Sequence, residues 1–219
     1  MNTTQLNEIA LRCGTDKSSD THDYAVKYEK YLSEYRDKDI KFFEIGVQYG
    51  YSVKMWEEYF SKASIYAIDI DPKCKKFETD RVKIAIGSQN DPSFLIKTSE
   101  DWGPFDVIVD DGSHHNESMT ISFETLFPLL KPGGLYIVED LTCCYWPWIQ
   151  ANVEDNFNKV IQKLIDHVNA SGYTGIGSKR NNHKDPVFAQ DGHKMEWWDE
   201  NVEYVHMYRN IVFIKKYDY

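Results

Sequence analysis

The chain has 219 residues, of which 42% are hydrophobic and 15% aromatic, and its 25 Lys+Arg against 35 Asp+Glu give a formal net charge of −10. The apolar content excludes a disordered chain, and the length suits one ordinary α/β domain. The acid surplus speaks against a nucleic-acid binder, which needs a basic face for phosphates; its simplest use is solubility.

The first residues, Met-Asn-Thr-Thr-Gln-Leu-Asn-Glu, have no basic start and no apolar core, so no secretory signal is expected. No stretch approaches the ~18 uncharged apolar residues of a membrane span. Cys13, Cys74, Cys143 and Cys144 fit neither a zinc spacing nor a regular disulfide framework. They read as reduced thiols, which implies a cytoplasmic location. Residues 1–39 are polar, and Tyr24, Tyr28, Tyr31 and Tyr35 recur at helical spacing, as a stripe packed on the core.

Strands and helices then alternate. Ile40–Ile45 is an apolar run ending at Gly46, as expected of a strand buried on both faces. Ser52–Phe60 has helical spacing through Val53, Trp56 and Phe60. Ser64–Ile70, Arg81–Ile86 and Phe105–Val109 read as the next strands. Glu117–Leu130 is helical, Pro132-Gly133-Gly134 is a turn, and Leu135–Val138 is a fifth strand. Asn156–Val168 is an amphipathic helix. Residues 171–200 read as a substrate or oligomer loop. Val202–Met207 and Ile211–Lys216 form a hairpin around Arg209-Asn210. The whole is expected to be a single domain, residues 1–219, with a Rossmann-like doubly wound α/β sheet. Its strands should be mostly parallel with a C-terminal antiparallel pair; the order usual for such a fold is 3-2-1-4-5-7-6.

In such sheets ligands lie at the carboxyl ends of the strands. Glu44-Ile45-Gly46-Val47-Gln48-Tyr49-Gly50-Tyr51-Ser52 follows the first strand with one glycine pair. It differs from the dinucleotide fingerprint and resembles motif I of class I S-adenosylmethionine-dependent methyltransferases. Asp69, at the end of the second strand, is placed to accept from both ribose hydroxyls, whereas Asp71 before Pro72 reads as a helix cap. Gly87-Ser88-Gln89 would lie against the adenine. Asp110-Asp111 and Glu139-Asp140 end the fourth and fifth strands, neighbours ~5 Å apart, so their carboxylates converge. That much like charge calls for a cation, and an oxygen site suits Mg²⁺ or another hard divalent ion. His114 lies three residues beyond Asp111 and can serve as general base toward a hydroxyl, with His115 as the rival assignment.

Five segments recur in this order: Gly14-Thr15-Asp16-Lys17, Glu44-Ile45-Gly46-Val47, Ala67-Ile68-Asp69-Ile70-Asp71-Pro72, Asp110-Asp111-Gly112-Ser113-His114 and Val138-Glu139-Asp140. Together they resemble the metal-dependent sugar O-methyltransferases of glycosylated macrolides and rhamnosylated polyketides, with cephalosporin-hydroxylase-like proteins as neighbours. The resemblance spans roughly residues 12–145 and implies Asp111, Glu139 and Asp140 as Mg²⁺ ligands and His114 as the base. It implies S-adenosylmethionine held by the Gly46 loop and Asp69, with Thr15 and Lys17 closing that site. The cofactor-binding set is therefore Thr15, Lys17, Glu44, Gly46, Tyr49, Ser52, Asp69, Ser88, Gln89 and Asp110. Against this family the chain is expected to lack the large N-terminal extension of some members. Tyr173, His183, Trp197 and Trp198 are candidates for a sugar platform, with ordinary packing as the simpler account. His167, His183 and His193 lack metal-ligand spacing.

The expected partner is a small-molecule or glycan sugar, neutral rather than polyanionic because both cofactors are cations at an acidic edge; the oligomeric state is open. Two other readings compete: a hydroxylase-like oxidoreductase, which lacks a two-His-plus-carboxylate set, and a non-catalytic S-adenosylmethionine-binding protein.

Overall fold

The computed structural model describes residues 4–170 and 196–219. The first helix, α1 (Gln5–Cys13), starts where Thr4 accepts from the Asn7 backbone N–H and stops at Gly14, whose φ of 76° is left-handed. Then come α2 (Tyr24–Leu32), β1 (Lys41–Ile45), α3 (Tyr51–Tyr59), β2 (Ser64–Asp69) and β3 (Val82–Ile86). They are followed by α4 (Pro92–Trp102), β4 (Val107–Asp110), α5 (Asn116–Leu126), β5 (Leu135–Glu139) and α6 (Phe157–Val168). A short α7 (Trp197–Asn201), β6 (Val202–Tyr208) and β7 (Ile211–Lys216) complete the described chain.

The strands form one sheet in the order β3-β2-β1-β4-β5-β7-β6, the expected order. β1 to β5 are parallel, while β7 runs antiparallel to β5 and β6 antiparallel to β7. Strand order reverses between β1 and β4, where a ligand crevice is expected.

Alternation along each strand divides the core. Phe42 points to one face, into a cluster with Tyr28, Trp56 and Phe60 from the helices above it. Phe43 points to the other face, stacked on Phe105 with ring centroids 4.6 Å apart, in a cluster with α5 and α6. The tyrosine stripe is split: Tyr24 and Tyr28 are buried, while Tyr31 and Tyr35 pack against the cluster's margin.

The helix expected over 117–130 ends at Leu126, and α1 and α4 were not read from the pattern. Asp91 caps α4 by accepting from Ser93 and Phe94, with Pro92 in the first turn. Gly133 takes φ 70° in its turn, as the Pro-Gly-Gly sequence implies. All four cysteines are free and buried. Trp198 stacks on Phe123 and Phe127, with centroids 5.4 and 5.8 Å away, so ordinary packing accounts for it and for Trp197 edge-on to Phe127. His167 bonds Asp199 at 2.6 Å. Tyr173, His183 and His193 lie outside the described residues. Among the described residues no helix is long and apolar enough to cross a membrane.

Candidate active site

A cleft of about 770 Å³ opens at the carboxyl ends of the strands, across the point where strand order reverses. The loop after β1 forms one wall. Gly46 there has φ 96°, and a side chain at that position would place its Cβ 2.1 Å from the backbone oxygen of Asp111, so only glycine permits the approach. Asp69 shapes the same loop. Its Oδ2 accepts from the Val47 and Gln48 backbone N–H groups at 2.8 and 3.0 Å, and its Oδ1 accepts from Asp71 N–H at 2.8 Å. Burial opposes its charge, but those donors outweigh burial and hold the carboxyl below the usual range. Asp71 accepts from Lys73 N–H and caps the next turn, as its place before Pro72 implies.

Thr15, Gly46, Tyr49, Ser52, Asp69, Ser88 and Gln89 all line the cleft. Glu44 does not. It is fully buried behind the wall, accepting from Ser52 Oγ at 2.9 Å and Trp56 Nε1 at 3.0 Å. Burial pushes its carboxyl up to about 7, against the pull of the Lys17 charge.

Asp110 is likewise beneath the floor. It accepts from Ser122 Oγ, from Gln89 Nε2 at 3.3 Å and from Tyr136 OH at 3.4 Å. Burial raises its carboxyl to about 6. Gln89 in turn accepts from Ser113 N–H at 2.7 Å, which ties the floor to the loop carrying His114.

The acids at the ends of β4 and β5 converge as the sequence indicates, but with an unforeseen companion. Lys17, 1% exposed, sends its Nζ between Asp111 Oδ2 and Glu139 Oε2, the latter at 2.7 Å. Burial opposes the lysine's charge, yet the two carboxylates outweigh it and lift its pKa well above the ordinary value. Glu139 also accepts from Tyr28 OH, so its carboxylate faces the N-terminal segment. Neither Lys17 nor Glu139 lines the cleft.

Asp111, His114 and Asp140 do line it. His114 Nε2 stands 3.9 Å from Asp111 Oδ1 and 3.6 Å from Asp140 Oδ2. One ligand atom from each of the three lies within 4.8 Å of the others; the two carboxylate oxygens suit a hard divalent cation completed by waters, and the imidazole beside them can take up a proton. His114 and Asp140 both adopt positive φ, at 58° and 57°. Such backbone persists where surrounding contacts impose it. The His114 carbonyl accepts from Gln150 Nε2 at 2.8 Å, and Asn116 N–H donates to Gln150 Oε1 at 2.8 Å, so buried Gln150 fixes the loop. His115 also lines the cleft but begins α5, with its carbonyl accepting from Met119 N–H.

Sequence reasoning missed Tyr24, Tyr28, Gln150 and Asn210. A periodic tyrosine stripe signals packing but is silent on where hydroxyls point, and Gln150 and Asn210 lie in a loop and a turn with no motif.

This fold, with a glycine loop after β1 at the reversal of strand order and an acid ending β2, is the Rossmann-like methyltransferase fold. Residues 43–141 match the family model described as a methyltransferase domain. The chain is similar to sugar O-methyltransferases. It is 32% identical over 96% of its length to the demethylmacrocin O-methyltransferase of Streptomyces fradiae, covering 53% of that protein. It is 33% identical, again over 96%, to the 8-demethyl-8-alpha-L-rhamnosyl tetracenomycin-C 2'-O-methyltransferase of Streptomyces olivaceus, covering 54%. The MycE methyltransferase of the mycinamycin biosynthetic pathway, solved in complex with Mg and SAH, superposes with a TM-score of 0.85 at 29% identity, over 99% of this chain and 54% of that one. The chain thus spans about half the length of the curated relatives it matches.

Proposed function

We propose that this chain is a single-domain, metal-dependent O-methyltransferase that moves the methyl group of S-adenosylmethionine to a sugar hydroxyl of a glycan, nucleotide-sugar or glycosylated small molecule. The observation that carries this reading is His114 Nε2 flanked by Asp111 and Asp140 in the cleft walled by the Gly46 loop. The sugar O-methyltransferases that align along nearly all of the chain support it, as does the Mg and SAH of the solved relative. A cytoplasmic location agrees with four free, buried cysteines.

The roles divide by position. Gly46, Tyr49, Ser52, Ser88 and Gln89 line the methyl donor's part of the cleft, and Asp69 holds its loop in shape. Thr15 closes the same end. Glu44 and Asp110 support the walls from behind rather than touching a ligand. Asp111 and Asp140 would hold the divalent cation, with Glu139 behind them bound by Lys17 and Tyr28. When bound, that ion makes a nearby hydroxyl more acidic. His114 takes up the hydroxyl proton at Nε2, and Asp111 and Asp140 set negative charge beside the ring that receives it. The freed oxygen attacks the sulfonium methyl in line, so the carbon–sulfur bond breaks as the carbon–oxygen bond forms. Positioning of donor and acceptor supplies much of the rate.

Asp111→Asn is expected to abolish turnover while S-adenosylmethionine binding, followed by calorimetry, stays close to the wild-type value. Full activity in excess EDTA would remove the cation from the reaction.

A further inference from the structure

β5 and β7 pair antiparallel with Glu139 opposite Ile211. One step further along that register, Asp140 meets Asn210, the second residue of the turn joining β6 to β7. The contact is dense. Asn210 Nδ2 donates to Asp140 Oδ1 at 2.9 Å and to Tyr24 OH. Tyr24 OH donates to the same Asp140 Oδ1 at 2.6 Å. Asn210 Oδ1 accepts from both the backbone N–H and the hydroxyl of Thr142 at 2.7 Å, and its carbonyl accepts from Leu141 N–H at 3.2 Å. Both ends of this side chain are therefore spent on the segment that carries Asp140 and on the Tyr24 hydroxyl bound to it.

The consequence is a division of labour between the two carboxylate oxygens. Oδ1 is saturated by Tyr24 and Asn210, and Oδ2 turns to the cleft, 3.6 Å from His114 Nε2. A carboxylate left to itself would rotate about its side-chain bonds and exchange the two oxygens. Asn210 manages the clamp because its φ of 68° lets the turn fold its side chain back over β5. Asparagine tolerates that conformation better than most residues.

We propose that Asn210 is a positioning residue for the cation site: it fixes one oxygen of Asp140 so that the other is presented, ready oriented, beside His114. The inference rests on the reading that Asp111 and Asp140 hold a divalent cation. Residues that hydrogen-bond a ligating carboxylate from behind tune affinity by ~10–100-fold, and the clamp falls in that class. It also ties the C-terminal hairpin and α2, through Tyr24, to the chemistry.

The test is Mg²⁺ titration by calorimetry of the full chain. Asn210→Gly keeps the positive φ and removes the amide; it is expected to weaken Mg²⁺ by ~10–100-fold. Its affinity for S-adenosylhomocysteine should stay within about twofold, since the clamp does not reach the Gly46 loop, and a variant whose effect is spread over both ligands would show general damage instead. Asn210→Asp, which sets a second carboxylate against Asp140 Oδ1, should be at least as impaired. If the turn variants unfold, Tyr24→Phe removes the other donor to Oδ1 while leaving the turn's own sequence unchanged, and carries the same direction of change. Unaltered Mg²⁺ affinity in a folded Asn210→Gly, with tight binding by the wild type, would overturn the clamp alone. A wild type that binds no Mg²⁺ would overturn the cation site and the clamp together.

Discussion

Replacing Glu44 by Gln is expected to stabilise the protein, and to do so only as pH rises. Glu44 sits on β1 with no exposed surface, its oxygens accepting from Ser52 Oγ and Trp56 Nε1. Burial pushes its carboxyl up to about 7 in the folded chain, against ~4.3 for an exposed glutamate. A folded-state pKa above the unfolded one means that the folded protein binds the proton more tightly, so stability falls as pH rises between the two values. The difference of roughly 2.7 units, at ~1.4 kcal/mol per unit, is a cost of about 3–4 kcal/mol for ionised Glu44 above about pH 8, and no cost below about pH 4. The Gln amide keeps both contacts, its oxygen accepting from Trp56 and its NH₂ donating to Ser52 Oγ. Thermal unfolding of wild type and Glu44→Gln across that range should show melting temperatures that nearly coincide at the acid end. They should separate by about 6–16 °C at the alkaline end, at ~2–4 °C per kcal/mol for a chain of this size. A gap that is constant with pH, or that widens toward acid, would refute the buried-carboxylate argument.

His114→Ala should lower turnover by ~10²–10⁴-fold, the usual share of a positioned base, with S-adenosylhomocysteine affinity little changed in a calorimetric titration; an unchanged rate would move the base to His115. Asp69→Asn leaves one acceptor oxygen where two serve three backbone N–H groups, so the donor should bind ~10-fold more weakly, about the worth of one charge-assisted hydrogen bond. Gly46→Ala forces a Cβ toward the Asp111 carbonyl at a left-handed φ. It should cost more than ~1 kcal/mol in urea unfolding and weaken donor and cation binding together.

The sheet was legible because its signals are local. Apolar runs such as Ile40–Ile45, each closed by a Gly or an acid, give the strands, and the alternation of strand and helix gives the parallel sheet, whose order is the one usual for such a fold. The convergence of Asp111 and Asp140 follows from that order alone, since neighbouring parallel strands end side by side. Contacts made across the chain were not legible. Lys17 reaches carboxylates 94 and 122 residues away, Tyr24 and Tyr28 aim hydroxyls at acids more than 100 residues on, and Asn210 closes on Asp140 from a turn. Periodicity records which face a side chain lies on and is blind to the polar tip of a half-apolar residue such as tyrosine. Glu44 and Asp110 illustrate the converse: a motif places an acid near a ligand, while the pleat of the strand decides whether it points into the cleft or behind it.

Methyl transfer to a sugar hydroxyl at a cation-assisted site can be observed directly. The direct measurement is mass spectrometry of a panel of deoxy- and rhamnosyl sugars and their glycosides, incubated with the protein, S-adenosylmethionine and Mg²⁺. One sugar should gain a single methyl group on oxygen, and the gain should vanish with EDTA and return with added Mg²⁺. Bound S-adenosylmethionine with no methylated sugar anywhere in the panel, or methylation indifferent to EDTA, would contradict it.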